Sequence, residues 1–129
     1  MKRISAAVIL SVIAASPAAA IDARIKAQLN KLDPQTRLEQ RCDTEALDRI
    51  SRDEHGFKPD KVIAYTFAEP EIDGTSIRAP GAVFRSKGDW YTLSFTCTTG
   101  PKRLHVRAFD YDIGTLVPRQ AWEEHFLYD

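Results

Sequence analysis

The sequence predicts an α+β domain: a long N-terminal helix packed on an antiparallel sheet of about four strands, with a short C-terminal helix and one helix-to-sheet disulfide. Three observations predict it. Apolar residues recur with a 3.6-residue period between Pro34 and Glu54. After Gly56 the period drops to 2, and β-branched and aromatic residues dominate. Each of these two regions carries one cysteine on its apolar face, Cys42 on the first and Cys97 on the second.

Residues 1–20 read as a cleavable export signal and are set apart from the fold. Lys2 and Arg3 form a positive start, and Ile4 to Ala15 is apolar apart from Ser5 and Ser11. That run is shorter than the roughly 20 apolar residues of a membrane anchor. Ser16-Pro17 ends it, and Ala18-Ala19-Ala20 supplies the small-residue cleavage pattern, placing the cut between Ala20 and Ile21. No cysteine follows the apolar run, so lipid attachment is not indicated there. No later stretch is long enough to span a membrane. The expected mature chain is one α+β domain, residues 21–129.

Ile25, Leu29 and Leu32 recur at helical spacing in the first mature segment. Asp33-Pro34 then opens the long helix, with Asp33 as N-cap and Pro34 at the first helical position. Leu38, Cys42, Ala46, Leu47 and Ile50 form its apolar face, and Glu39, Arg41, Asp43, Arg49 and Arg52 fill the other. Gly56 is the expected stop. A strand is predicted over Lys61–Phe67, ended by Pro70. Asp73-Gly74 marks a turn between Ile72 and Ile77. A broken strand follows over Ser76–Arg85, and Pro80-Gly81 within it predicts a bulge or an edge position, since proline cannot donate to a ladder. Ser86-Lys87-Gly88-Asp89 is a hairpin turn. Trp90–Thr98 is the clearest strand, with Tyr91, Leu93, Phe95 and Cys97 on one face and mostly hydroxylated residues on the other. Gly100-Pro101-Lys102 turns the chain into a strand over Arg103–Ile113. Pro118 opens the last short helix, which places Trp122 and Phe126 on one side.

An exported chain enters an oxidising space, where thiols pair. Two cysteines allow one intramolecular bridge, and two periodicities point both into the same interface. Loop-closure entropy values such a bridge at about 4 kcal/mol. The alternatives are buried free thiols or intermolecular pairs. No C-x-x-C motif is present, so the bridge reads as structural. Without Lys2 and Arg3 the chain keeps 16 basic residues against 18 acidic ones, a net charge of −2. That balance argues against nucleic acid as a partner, which needs a basic excess or stripe.

Five segments carry a family resemblance. They are Lys31-Leu-Asp-Pro-Gln-Thr-Arg-Leu-Glu-Gln-Arg-Cys-Asp43, Phe57-Lys-Pro-Asp-Lys-Val-Ile-Ala-Tyr65, Ala79-Pro-Gly-Ala-Val-Phe-Arg85, Trp90-Tyr91 and Phe109-Asp-Tyr-Asp-Ile-Gly114. The chain resembles the alphaproteobacterial family named domain of unknown function 930 over nearly all of its mature length. Leu32-Asp-Pro with Arg37-Leu-Glu-Gln-Arg-Cys42 is the more specific part. The resemblance implies a Gram-negative envelope location, hence the periplasm. It implies no activity and transfers no catalytic residue.

Tested directly for chemistry, the chain contains no G-x-S-x-G, phosphate-binding glycine loop or H-E-x-x-H. His55, His105 and His125 fall on three separate elements, and no spacing demands a metal or a cofactor. Asp110 and Asp112 share one strand face. With a histidine such as His105 they could act as acid and base, or they are the solvated end of a strand. Trp90 with Arg85, Arg103 and Arg107 is the candidate binding patch, with Arg78 and Lys87 nearby in sequence. The plainer readings are edge-strand charge for the arginines and burial under the C-terminal helix for Trp90. Two function classes follow. One is a non-catalytic exported binding or interaction domain that meets an envelope protein or polymer, an inhibitor of an envelope hydrolase being a special case. The other is a small periplasmic hydrolase or transferase using Asp110, Asp112 and a histidine.

Overall fold

Short polar side chains start both helices. The computed structural model describes residues 21–129, so the expected export signal and its junction at Ala20 lie outside the described residues. Helix α1 covers Ala23–Asn30, and Asp22 accepts the Arg24 amide at 2.7 Å. Helix α2 covers Pro34–Asp53. Its N-cap Asp33 accepts the Thr36 amide at 3.1 Å and the Thr36 hydroxyl at 2.6 Å, which lowers the Asp33 carboxyl below its usual range. Glu54 is the C-cap, so α2 stops one residue before the expected end.

Five strands form one antiparallel sheet: β1 (Pro59–Ile63), β2 (Glu71–Asp73), β3 (Ser76–Ser86), β4 (Asp89–Thr99) and β5 (Val106–Leu116). The order is β1-β3-β4-β5, with β2 paired to the first residues of β3. The strand expected over Lys61–Phe67 begins and ends earlier. Its second half leaves the sheet and crosses β3 at Gly81, where the Phe67 amide donates to the Gly81 carbonyl at 2.8 Å. A Cβ on Gly81 would lie 2.8 Å from the Ala68 Cβ, so this crossing requires glycine. The register of β3 shifts between Ala79 and Ala82, which is the expected bulge at Pro80-Gly81. Pro80 costs no ladder bond there, because it sits in the gap between β2 and β1 along β3.

Ser86 faces Asp89 across a two-residue turn, with Lys87 at φ 51° and Gly88 at φ 80°. Two consecutive positive φ values match the right-handed twist of the flanking strands. The last strand, expected over Arg103–Ile113, is displaced toward the C-terminus. Arg103 turns the chain at φ 57°, and the ladder begins only at Val106. A second irregularity opposite Thr92 admits Gly114 and Thr115, and the Thr115 amide donates to Thr92 Oγ1 at 2.8 Å.

Side-chain alternation gives the sheet two apolar faces. Leu38, Cys42, Ala46 and Ile50 of α2 pack on Phe84, Leu93, Phe95 and Cys97. The disulfide joins Cys42 and Cys97 across this interface with a Cα separation of 6.1 Å. On the opposite face, Val83 and Trp90 are covered by Val117, Trp122 and Leu127. The C-terminal segment therefore adds a partial layer on the sheet face opposite α2. That layer is not the expected helix. It consists of two 3-10 turns, Arg119–Ala121 and Glu123–His125. Phe126 ends the second turn at φ 58° and is 77 % exposed, so it does not join Trp122. Leu127 takes the buried position instead.

The polar face of α2 also departs from expectation. Arg41, Asp43 and Glu45 are buried, because the sheet and the turn at 100–105 flank the helix on both sides. Arg41 and Glu45 pair at 3.0 Å, Arg49 donates to Glu45 at 3.0 Å, and Arg41 Nε donates to the Leu104 carbonyl at 2.9 Å. Asp43 has no such network.

Candidate functional site

Two grooves hold the polar residues that could act on a ligand. The first lies on the open part of the second sheet face. Asp110 pairs across the ladder with Thr96, and Asp112 with Ser94. Arg78 and Pro80 of β3 complete a shallow groove of about 360 Å³. Arg78 is already engaged by Glu71 through two hydrogen bonds of 3.0 and 3.3 Å. The two aspartates thus share a face as the alternation predicts. No histidine lines this groove. His105 precedes β5 and is exposed, His55 lies in the turn after α2, and His125 packs on Phe67 with ring centroids 4.5 Å apart. Without a histidine beside them, the carboxylates lack the partner that the hydrolase or transferase reading requires.

The candidate binding patch is not assembled as one surface. Trp90 is 2 % exposed, and its indole N–H donates to the Tyr128 carbonyl at 2.8 Å. Arg85 stacks over the Trp90 ring at 5.5 Å and makes a bidentate pair with Asp60 at 2.9 and 3.1 Å. Arg103 donates to the Gly74 carbonyl at 3.0 Å, and Arg107 lies beside Gly100. Trp90 lies near the start of β4 and Gly100 just follows its end, about 30 Å apart at the rise of an extended strand. The covered position of Trp90 follows from the C-terminal layer.

The second groove lies between α2 and β1. Glu39, Gln40, Asp43, Thr44 and Leu47 form one wall, and Asp60 to Ile63 with Tyr65 form the other. Its volume is about 430 Å³. Among the described residues β1 is the outer strand of the sheet on this side, so alternate peptide groups along its outer edge have no strand partner there. Asp43 is the unusual member. It is 9 % exposed, and its Oδ1 has no hydrogen-bond partner among the described residues. Burial, with Glu39 nearby, pushes its carboxyl up to about 8. Glu39 is also raised, by its own burial and by Glu69. Asp43 is therefore mostly a neutral acid at pH 7.

Asp43 was legible in part. At 100° per residue, Asp43 and Ile50 lie only about 20° apart around the helix, so Asp43 falls within the buried stripe. Reading all charged residues of α2 as one solvated face hides this. The contribution of β1 to the groove had no local signal, since it depends on which strand lies at the sheet edge.

Among the described residues, no group of three or more His, Cys, Asp and Glu side chains is arranged to hold a metal ion. No helix among them is long and apolar enough to cross a membrane. A family model described as Domain of Unknown Function (DUF930) matches residues 29–127. The chain belongs to this family. No curated protein and no solved structure matches it.

The DUF930 match contains both grooves, the disulfide and the C-terminal layer as far as Leu127. Within the DUF930 domain, the segment Arg37 to Cys42 has a structural explanation. Arg37 donates to the Leu29 and Leu32 carbonyls at 3.0 and 2.9 Å, which ties the end of α1 to α2. Leu38 is core, Arg41 holds the 100–105 turn, and Cys42 forms the bridge.

Proposed function

We propose that the mature chain is a non-catalytic, exported binding domain of the periplasm, and that the groove between α2 and β1 is its binding site. The observation that carries a binding role is Asp43. A buried carboxyl oxygen without a partner lowers stability by about 1–3 kcal/mol, and a ligand donor at that position offsets the cost. The sequence of residues 1–20 supports export, and the helix-to-sheet disulfide suits an oxidising compartment.

Two measurements test this reading. Protein recovered from the periplasm should begin at Ile21 and weigh ~2 Da less than the dithiol form, from the two hydrogens lost in the bridge. An immobilised mature domain, exposed to periplasmic extract, should retain a protein or polymer that an Asp43→Asn domain does not retain. Equal retention by both would remove the groove from the proposal. A full-length cytoplasmic dithiol would remove the export.

A further inference from the structure

The binding reading leaves the chemistry of the ligand open, and the groove narrows it. Its helix wall carries two carboxyls, Glu39 and Asp43, and the carboxylate of Asp60 on the other wall is already held by Arg85. A cation entering beside Asp43 replaces a buried acid without a partner by an ion pair. An anion would meet Glu39 beside Asp43. The β1 edge adds a second constraint. Free N–H and C=O groups along a strand recognise an extended main chain, which adds as a further strand. The helix wall across the groove then meets alternate side chains of that strand. Tyr65 is more than half exposed at the groove and offers an apolar face to a methylene stem or to a cation. A groove of this size falls within the ~300–1,000 Å³ range of ligand sites.

We propose that the groove between α2 and β1 receives an extended, lysine-bearing polypeptide segment, which adds to the free edge of β1 and sets a lysine ammonium group against Asp43. This rests on the binding reading above and specifies its partner. A lysine suits the site better than an arginine, because a compact ammonium group can reach a single buried oxygen, whereas a guanidinium group favours two acceptors side by side. Binding ionises Asp43, so the complex releases a proton in the pH range where the free acid is protonated. Glu39 on α2 is the charged group that acts on this carboxyl; the opposite wall carries Lys61, Tyr65 and Asp60, whose carboxylate is bound to Arg85.

The test uses the whole mature domain and a capped five-residue peptide of alternating valine and lysine, followed by amide and side-chain carboxyl NMR. The expected result is a set of shifts centred on Lys61 to Ile63. The Asp43 carboxyl should titrate at lower pH in the complex. Acetylation of the peptide lysines should weaken binding at least about tenfold, a loss of ~1.4 kcal/mol. This comparison needs no variant and so does not depend on refolding. Asp43→Asn, checked for an unchanged amide spectrum elsewhere, should weaken binding of the unmodified peptide similarly. The proposal is overturned by shifts confined to the Asp110 and Asp112 face, by equal affinity for the acetylated peptide, or by no shift at about 5 mM peptide. Any of these results, with Asp43-dependent retention of a periplasmic partner intact, would discard the lysine segment and leave the binding reading standing.

Discussion

A carboxyl group such as Asp43, buried without a hydrogen-bond partner, holds its proton well above the ordinary carboxylate range, because its anion has lost water and gained nothing in return. The folded group titrates at about 8 against an ordinary value of 3.8. Between those values the folded state binds the proton and the unfolded chain does not. The contribution of this group to stability is thus fully present below about pH 4 and is lost as the pH rises through about 8. Asp43→Asn removes that dependence. Urea unfolding of the two proteins should show the variant gaining on the parent by a few kcal/mol between about pH 5 and about pH 9. A difference that does not change with pH would contradict the buried acid. Glu45 presents the opposite case, since Arg41 and Arg49 both donate to it. Replacing Arg41 by methionine leaves Glu45 with one partner and the Leu104 carbonyl without its donor. The expected cost is about 3 kcal/mol in urea unfolding, and a cost well below ~1 kcal/mol would assign this network to the surface.

At the scale of elements, the C-terminal segment covers a sheet face that would otherwise expose Trp90 and Val83. Two indole donors hold it: Trp90 to the Tyr128 carbonyl, and Trp122 to the Val117 carbonyl at 3.1 Å. Trp122→Ala should destabilise the domain by about 3–5 kcal/mol. The chain has two tryptophans, so this variant leaves Trp90 as the only one. Its emission should shift to the red as the cover loosens. An unchanged, buried-type spectrum would show that Val117 and Leu127 suffice. The end of α2 is fastened differently. The Tyr111 hydroxyl donates to Glu54 at 3.2 Å and to Asp53 at 3.3 Å. Burial and these two carboxylates raise Tyr111 to about 12. Helix α2 and the hairpin strands were legible because long periodic segments with caps and turn residues carry their own signal. The bounds of β1 and β5 were not. Phe67 and Arg103 look suited to a strand, but the crossing at Gly81 and the turn at 100–105 place them outside the ladder.

At the scale of the whole molecule, one covalent link joins helix α2 to the sheet. Cys42 and Cys97 are 55 residues apart, and closing that loop is worth about 4 kcal/mol. Reduction should lower the unfolding free energy by about that amount, measured in urea with and without reductant. A change below ~1 kcal/mol would mean that packing of α2 on the sheet suffices without the bridge.

By itself, the sequence determined the α+β class, the capped long helix and the hairpin at Lys87-Gly88, and it narrowed Pro80-Gly81 to a bulge or an edge position and placed both cysteines on apolar faces that favour their pairing. Each is set by residues close together in the chain, or by a face that periodicity defines. The tertiary structure alone decided what Trp90, Asp43 and β1 do. Trp90 is covered because a segment more than 25 residues away folds back over it. β1 is an edge strand because β3 pairs with β4 on its other side. Asp43 is buried because α2 lies against that edge, and whether a charge on a helix meets water depends on what packs beside it.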